Sequence, residues 1–313
     1  MSGTALTRPR ADDAVAGTAR FIARNLLAAS HESRYAAILP AGAGDACRHL
    51  LTATGDAAFV RAVGNRLFRG AFRAGADFLL PGIVLHYLAR KRCLEDWVRQ
   101  AMDEEGCERV AVLGAGLDTL AWRLHRARPG VRFVELDRPA ALRIKRAALA
   151  AAGEPLPSNL SFLPLDLAHG TLAQALAAGG AFGPSVRTLF LAEGLLMYLP
   201  PERVASLLRE VAAWGTADRP VRFAFTFMEA RADGRIRFRR SSPLVHWWLR
   251  WQGEPFRWSV APDKLAAFLS PLGWRLRELV SGDDLRTRCL LPAGLRDEPL
   301  ALGEWLALAE TVH

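Results

Sequence analysis

The chain is 313 residues long, 51% hydrophobic and 23% charged, the balance of a globular protein with a sizeable core, which excludes disorder on a large scale. Basic residues number 41 against 32 acidic ones, a formal charge of +9, but the excess is spread along helical segments and bears on solubility and encounter rates, so no nucleic-acid partner is expected. Four cysteines, Cys47, Cys93, Cys107 and Cys289, stand far apart without C-x-x-C spacing, which signals neither a zinc site nor a disulfide framework, and no apolar stretch is long enough to span a bilayer.

Taken in chain order, residues 1–10 carry no apolar run after their charges and do not read as a secretion signal, so a cytoplasmic location is expected. Over residues 11–51, Val15, Thr18, Ala19, Ile22, Leu26 and Leu27 recur with helical periodicity, followed by a break at residues 40–44. Helix continues over residues 59–72 and 83–102, with Pro81 and Gly82 between them. At Arg109 the texture changes. Val110, Ala111, Val112 and Leu113 form a short apolar run ending in glycine, a buried parallel strand feeding a helix through Leu117, Leu120, Ala121 and Leu124. Strands follow at residues 131–137, 160–165, 188–192 and 221–228, separated by helices at 139–152, 171–178 and 201–213. This alternation predicts an α/β fold, a doubly wound, mostly parallel Rossmann-like sheet of about seven strands with right-handed crossovers. After residue 228 the pattern lapses into an insertion over about 229–260, arginine-rich and then tryptophan-rich. A helix at 262–269 and two closing strands, 274–280 and 286–291, paired as a hairpin around Gly282 and Asp283, complete the chain. The organisation expected is one unit, with helices over 1–105 leading into a sheet domain over 106–313.

The most informative segment runs from Val110 to Thr119. Gly114 and Gly116 at the end of the first strand let the backbone approach a ligand where a side chain would collide. Dinucleotide folds carry a third glycine at the position of Thr119, which weakens a pyrophosphate reading. Asp137 ends the second strand, 21 residues beyond Gly116, where a carboxylate reaches the two hydroxyls of a ribose; the alternative is a cap for the following helix. Glu135 lies one pleat earlier and is the less exposed acid. Asp166 ends the third strand, placed to accept from an adenine amino group while Leu167 packs on the ring. Glu193 ends the fourth strand in an apolar stretch, where an acid needs a polar partner or a ligand.

These residues match a known pattern. Through Tyr87-Leu88-Ala89-Arg90, Leu113-Gly114-Ala115-Gly116-Leu117-Asp118-Thr119, Glu135-Leu136-Asp137-Arg138-Pro139, Leu165-Asp166-Leu167 and Ala192-Glu193-Gly194-Leu195-Leu196-Met197-Tyr198, the chain resembles the leucine carboxyl methyltransferase-like family of class I methyltransferases, over about residues 80–215. That family includes polyketide-type O-methyltransferases. The resemblance implies S-adenosylmethionine as cofactor, Arg90 gripping its methionine carboxylate, Gly114 at the close approach, Asp137 on the ribose, Asp166 and Leu167 at the adenine, and Glu193 near the methionine amino group. The helix carrying Arg90 becomes a cofactor clamp, and the helices before it a lid.

Methyl transfer is an in-line displacement from a sulfonium, so the protein's task is to position the acceptor and exclude water. A carboxylate acceptor is already ionised and needs a cationic clamp; a phenol, with a pKa near ~10, benefits from a base. Arg240, Trp247 and Tyr198 are candidate acceptor contacts, though the arginine- and tryptophan-rich insertion also reads as a solvated basic face. His86, one turn before Arg90, is the candidate base, with a structural histidine as the alternative. No metal cluster is signalled. The expectation is an S-adenosylmethionine-dependent O-methyltransferase acting on a small molecule, a carboxylate of an aromatic or polyketide-like compound first and a phenolic hydroxyl second, by a monomer or homodimer. An NAD-dependent oxidoreductase is the alternative of another class, disfavoured by Thr119, and an RNA methyltransferase a third.

Overall fold

The computed structural model describes residues 15–153, 155–178 and 186–312. Short runs of β-branched and aromatic residues form β1 (Arg109–Leu113), β2 (Arg132–Asp137), β3 (Leu160–Pro164), β4 (Thr188–Ala192) and β5 (Arg222–Glu229). These strands lie parallel. β6 (Ser259–Val260), β7 (Trp274–Val280) and β8 (Glu304–Thr311) follow. The order is β3-β2-β1-β4-β5-β8-β7, with β6 beside the end of β5, which makes eight strands among the described residues. β8 runs antiparallel to both neighbours. Every residue of β1 and β4 is buried, as expected of central parallel strands covered on both faces.

Helices α1 (Gly17–Ser30), α2 (Ala43–Ala53), α3 (Ala57–Ala62), α4 (Arg66–Leu79) and α5 (Ile83–Glu104) precede the sheet. The crossovers carry α6 (Leu120–Leu124), α7 (Pro139–Ala151), α8 (Leu172–Ala178) and α9 (Pro201–Ala212), and α10 (Pro243–Gln252), α11 (Leu265–Leu269) and α12 (Gly282–Leu285) come after β5. Strand pleating divides the core in two, because successive side chains leave a strand on opposite faces. Val110, Val112, Phe133 and Leu191 join Leu94 and Val98 of α5 on one side. Ala111, Val134, Phe190 and Phe225 join Leu207 of α9 and Leu265 of α11 on the other.

The C-terminal part departs from expectation. Residues 286–291 are not a strand and no hairpin forms around Gly282 and Asp283. Ser281 instead opens α12 with a capping box, its Oγ accepting from the Asp284 amide at 3.1 Å while the Asp284 carboxylate accepts from the Ser281 amide at 2.8 Å. The helix runs on into a wide turn, Arg286–Leu290, that buries Leu285, Cys289 and Leu290 at helical spacing. The second closing strand is β8, whose Leu306, Ala307, Leu308 and Ala309 are buried on both faces. A strand buried on both sides does not alternate, which hides it from a period-two reading. At the other end, residues 1–14, with the start of the helical stretch expected over 11–51, lie outside the described residues, and the rest of that stretch divides into α1 and α2. Among the described residues no helix is long and apolar enough to cross a membrane.

Trp274 anchors the outer edge of the sheet: it is 1% exposed, lies 5.8 Å from Phe223 between ring centroids, and donates from Nε1 to the Leu208 carbonyl at 3.1 Å. Trp274→Ala is expected to lower the free energy of unfolding by about 3–5 kcal/mol, read from denaturant curves of both proteins.

Candidate active site

The strand order reverses between β1 and β4, and the carboxyl ends of β1, β2 and β4 lie side by side there, the place where doubly wound sheets hold ligands. β1 ends in Gly114 and Gly116, both in the left-handed region at φ 63° and 45°. A Cβ on Gly114 would stand 2.7 Å from Cδ1 of Leu195 in the loop after β4, so only glycine lets the two loops close together. A Cβ on Gly116 would stand 3.4 Å from that of Ala19, which lays α1 over the glycine loop. Asp137, at the end of β2, accepts from the Gly116 amide through Oδ2 and from the Arg138 amide through Oδ1, each at 2.6 Å. No side chain caps α7, so Asp137 serves the glycine loop rather than the helix that follows.

Facing this loop is a buried ion network. Arg90 on α5 is 3% exposed; its Nε donates to Oε1 of Glu193 at 2.9 Å and its Nη1 to the two oxygens of Glu304 at 3.0 and 2.9 Å. Lys91 donates to Asp118 at 2.6 Å and to the other oxygen of Glu193 at 3.0 Å. His86 Nε2 lies 2.6 Å from Oε2 of Glu304, and its Nδ1 is buried without a hydrogen-bond partner among the described residues. The Gly194 amide donates to the Thr226 hydroxyl at 2.9 Å, tying the β4 loop to β5. Burial alone would raise the Glu304 carboxyl, but the Arg90 guanidinium and the His86 hydrogen bond outweigh it and hold it at about 2. Burial likewise opposes ionisation of Asp118, and Lys91 overcomes it, holding the carboxyl well below the usual range.

The structure brings together Arg90, Gly114, Gly116, Asp137 and Glu193, with His86 joined to them through Glu304. Asp166 stands beyond the end of β3, more than a third exposed, bonded to the Ala168 amide and to His169 Nδ1 at 2.9 and 2.8 Å; Leu167 is buried. Tyr198 lies 5.4 Å from Phe256 between ring centroids, on the side where Glu254 receives the amides of Gly17 and Thr18 at the start of α1. Glu135 is turned away into a bridge to Lys145 at 2.6 Å, and burial pushes its carboxyl up to about 7. Arg240 and Trp247 are on the surface, Trp247 65% exposed, and neither bonds to the ion network among the described residues. Among the described residues no cluster of metal ligands forms.

Lys91, Asp118, Thr226 and Glu304 were missed by sequence reasoning. Asp118 and Lys91 adjoin singled-out residues, and an acid inside a glycine loop was a usable signal. Glu304 was not accessible in that way, because it lies 214 residues from Arg90 and reaches it only through the pairing of β8 with β5.

Because the folded Glu304 carboxyl lies below its ordinary 4.5, its contribution to stability is present above that value and disappears as pH falls toward about 2. Acid titration of stability is expected to show a loss on the order of 3 kcal/mol from this group, and Glu304→Gln should flatten that part of the profile while lowering stability at neutral pH, where Arg90 loses half of its compensation.

A family model described as leucine carboxyl methyltransferase matches residues 24–212. A Mycobacterium sp. (strain KMS) protein that bears the name of an S-adenosyl-L-methionine-dependent methyltransferase is 32% identical over 242 residues, 69% of this chain and 77% of its own. A Mycolicibacterium paratuberculosis protein of the same name is 30% identical over 266 residues, 84% of each chain. The fold is shared with a solved DUF574 family protein from Streptomyces avermitilis, at a TM-score of 0.58 and 15% identity over 97% of this chain and 100% of that one. With more than half of its length under the family model, and relatives of this identity aligned over most of their length, the chain belongs to the leucine carboxyl methyltransferase family.

Proposed function

We propose that this enzyme, a methyltransferase, moves the methyl group of S-adenosylmethionine to an oxygen of a small acceptor, a carboxylate of an aromatic or polyketide-like molecule in the first reading. The observation that carries the cofactor assignment is the charge of the buried network. Arg90 and Lys91 face Asp118, Glu193 and Glu304, three carboxylates against two cations, and the His86 imidazole reaches only Glu304. A buried uncompensated charge is costly. A ligand with a sulfonium, an ammonium and a carboxylate brings one net positive charge, and the network offers partners of the right sign for each.

The fit extends to the individual groups. A guanidinium has five donors; four of Arg90's face Glu193 and Glu304, which leaves one N–H, on Nη2, for a ligand carboxylate. Glu193 is the acid nearest to hand for an ammonium. Asp137 uses one lone pair on each oxygen for backbone amides and keeps others for a vicinal diol. Gly114 and Gly116 leave room for close approach, and Asp166 with Leu167 forms the adenine side. When bound, S-adenosylmethionine supplies a methyl group activated by its sulfonium. The protein's own part is to orient the acceptor and shed water, for which α1 lies over the glycine loop as a lid.

A second reading, a hydroxyl acceptor, is favoured by His86. With Nε2–H donated to Glu304, its Nδ1 lone pair is free of hydrogen bonds among the described residues, the arrangement of a general base steadied by a carboxylate. Kinetics with His86→Ala separate the readings: both acceptors lose the Glu304 contact alike, so the ratio of phenolic to carboxylate turnover should fall roughly 100- to 10,000-fold if His86 is the base and stay constant if it only supports Glu304.

The cofactor assignment is tested by calorimetric titration with S-adenosylmethionine, S-adenosylhomocysteine and NAD. Asp137→Ala is expected to lose about 1.5–3 kcal/mol of adenosyl-ligand affinity, roughly a 10- to 150-fold rise in Kd. Binding of NAD in preference to the adenosyl ligands would sink the proposal.

A further inference from the structure

We propose that the outward faces of α4 and α10 form a docking surface that seats this protein on an anionic lipid bilayer. The inference does not depend on the methyl-transfer reading. A helix on a globular protein normally turns its apolar stripe toward the core. α4 also turns one toward solvent: Leu67, Ala71, Ala74 and Phe78 are exposed at helical spacing, Leu67 by 83% and Phe78 by 78%. Gly70 and Gly75 on the same helix have nothing within 4 Å of where a Cβ would be, so that face is bare. α10 repeats the pattern with Leu244, Trp247 and Trp251, 55%, 65% and 56% exposed, while Leu249 between them is buried. The indoles of Trp247 and Trp251 stack at 6.3 Å and 5°. The two helices meet at a corner, where the Ser242 amide donates to the Leu79 carbonyl at 2.9 Å, so Phe78 ends one stripe close to where Leu244 begins the other.

Single exposed apolar residues need no account, but large ones aligned on two adjoining helices mark an interaction site. Charge decides what occupies it. Arg66, Arg240 and Arg250 are exposed around these stripes and make no ion pair among the described residues. The sole acid within α4 and α10 is Asp77, which is partly buried and accepts from the Gly82 amide at 3.2 Å. Tryptophan, phenylalanine and leucine beside exposed guanidinium groups match the boundary of acyl chains and anionic headgroups, where indoles partition and arginines neutralise lipid phosphate. A second copy would instead bring two arginine rims together.

The test is sedimentation of the full chain with vesicles of pure phosphatidylglycerol or pure phosphatidylcholine. The wild type is expected to pellet with phosphatidylglycerol at least about tenfold better than with phosphatidylcholine and to be released by salt. Phe78→Ser with Trp247→Ser, and separately Arg66→Glu with Arg250→Glu, should each abolish the difference. All four positions are exposed, so both variants should keep the wild-type melting temperature, which is measured alongside. Equal pelleting with both lipids, no pelleting at all, or undiminished binding by both variants would overturn the proposal. So would a wild-type dimer in sedimentation velocity that the Phe78 and Trp247 changes dissociate, which would assign the face to a second copy, or capture by an acidic protein with no affinity for phosphatidylglycerol.

Discussion

Arg90 is held between two carboxylates from opposite ends of the chain's second half, and most of the molecule is arranged so that this can happen. Burying a guanidinium and two carboxylates costs several kcal/mol per ion unless the partners stand at hydrogen-bonding distance. The 2.9 Å contacts to Glu193 and Glu304 require three elements to converge: the middle of α5, the end of β4 and the start of β8. β8 can deliver Glu304 only by running antiparallel, since a strand parallel to β5 would begin at the opposite edge of the sheet. Its insertion between β5 and β7 is thus a condition of the site as well as of the fold.

The same network explains why the neighbouring backbone is so constrained. Gly114 and Gly194 both sit at positive φ, at 63° and 59°. These two turns let the β1 and β4 loops pass each other, with Leu195 filling the space against Gly114. Lys91 then spans the gap from Asp118 in one loop to Glu193 in the other. Adjacent residues on one helix, Arg90 and Lys91, thereby grip both loops, and α1 closes from above. Among the described residues this network holds one orphaned polar atom, Nδ1 of His86, whose desolvation is a cost that a hydrogen-bonding group would relieve.

Elsewhere, arginine does two different jobs. Many of the arginines are absorbed by acids within the fold: Arg20 and Arg24 share Asp56, Arg99 and Arg123 share Glu95, and Arg203 bridges Glu210 to the Leu167 and Gly170 carbonyls. The formal charge of +9 is therefore no guide to a nucleic-acid surface. What distinguishes α4 and α10 is that exposed arginines there accompany outward-facing aromatic rings instead of acids.

Much of the molecule was legible in the sequence for reasons that are local. The parallel strands announce themselves as short apolar runs because both their faces are covered, the glycines of the first loop because no other residue tolerates the turn and the close approach, and Asp137 because its distance from Gly116 is fixed by one helix and one strand. The family resemblance placed Arg90 and Glu193 where local chemistry alone had little to say. Tertiary structure alone decided the rest. β8 carries no alternation to read, the capping box at Ser281 and Asp284 starts a helix where a hairpin turn was expected, and Trp247 and Trp251 of α10 face outward although their spacing fits a buried stripe equally well. Glu304 becomes a partner of Arg90 only when strand pairing brings together residues 214 positions apart, a proximity that no local pattern encodes.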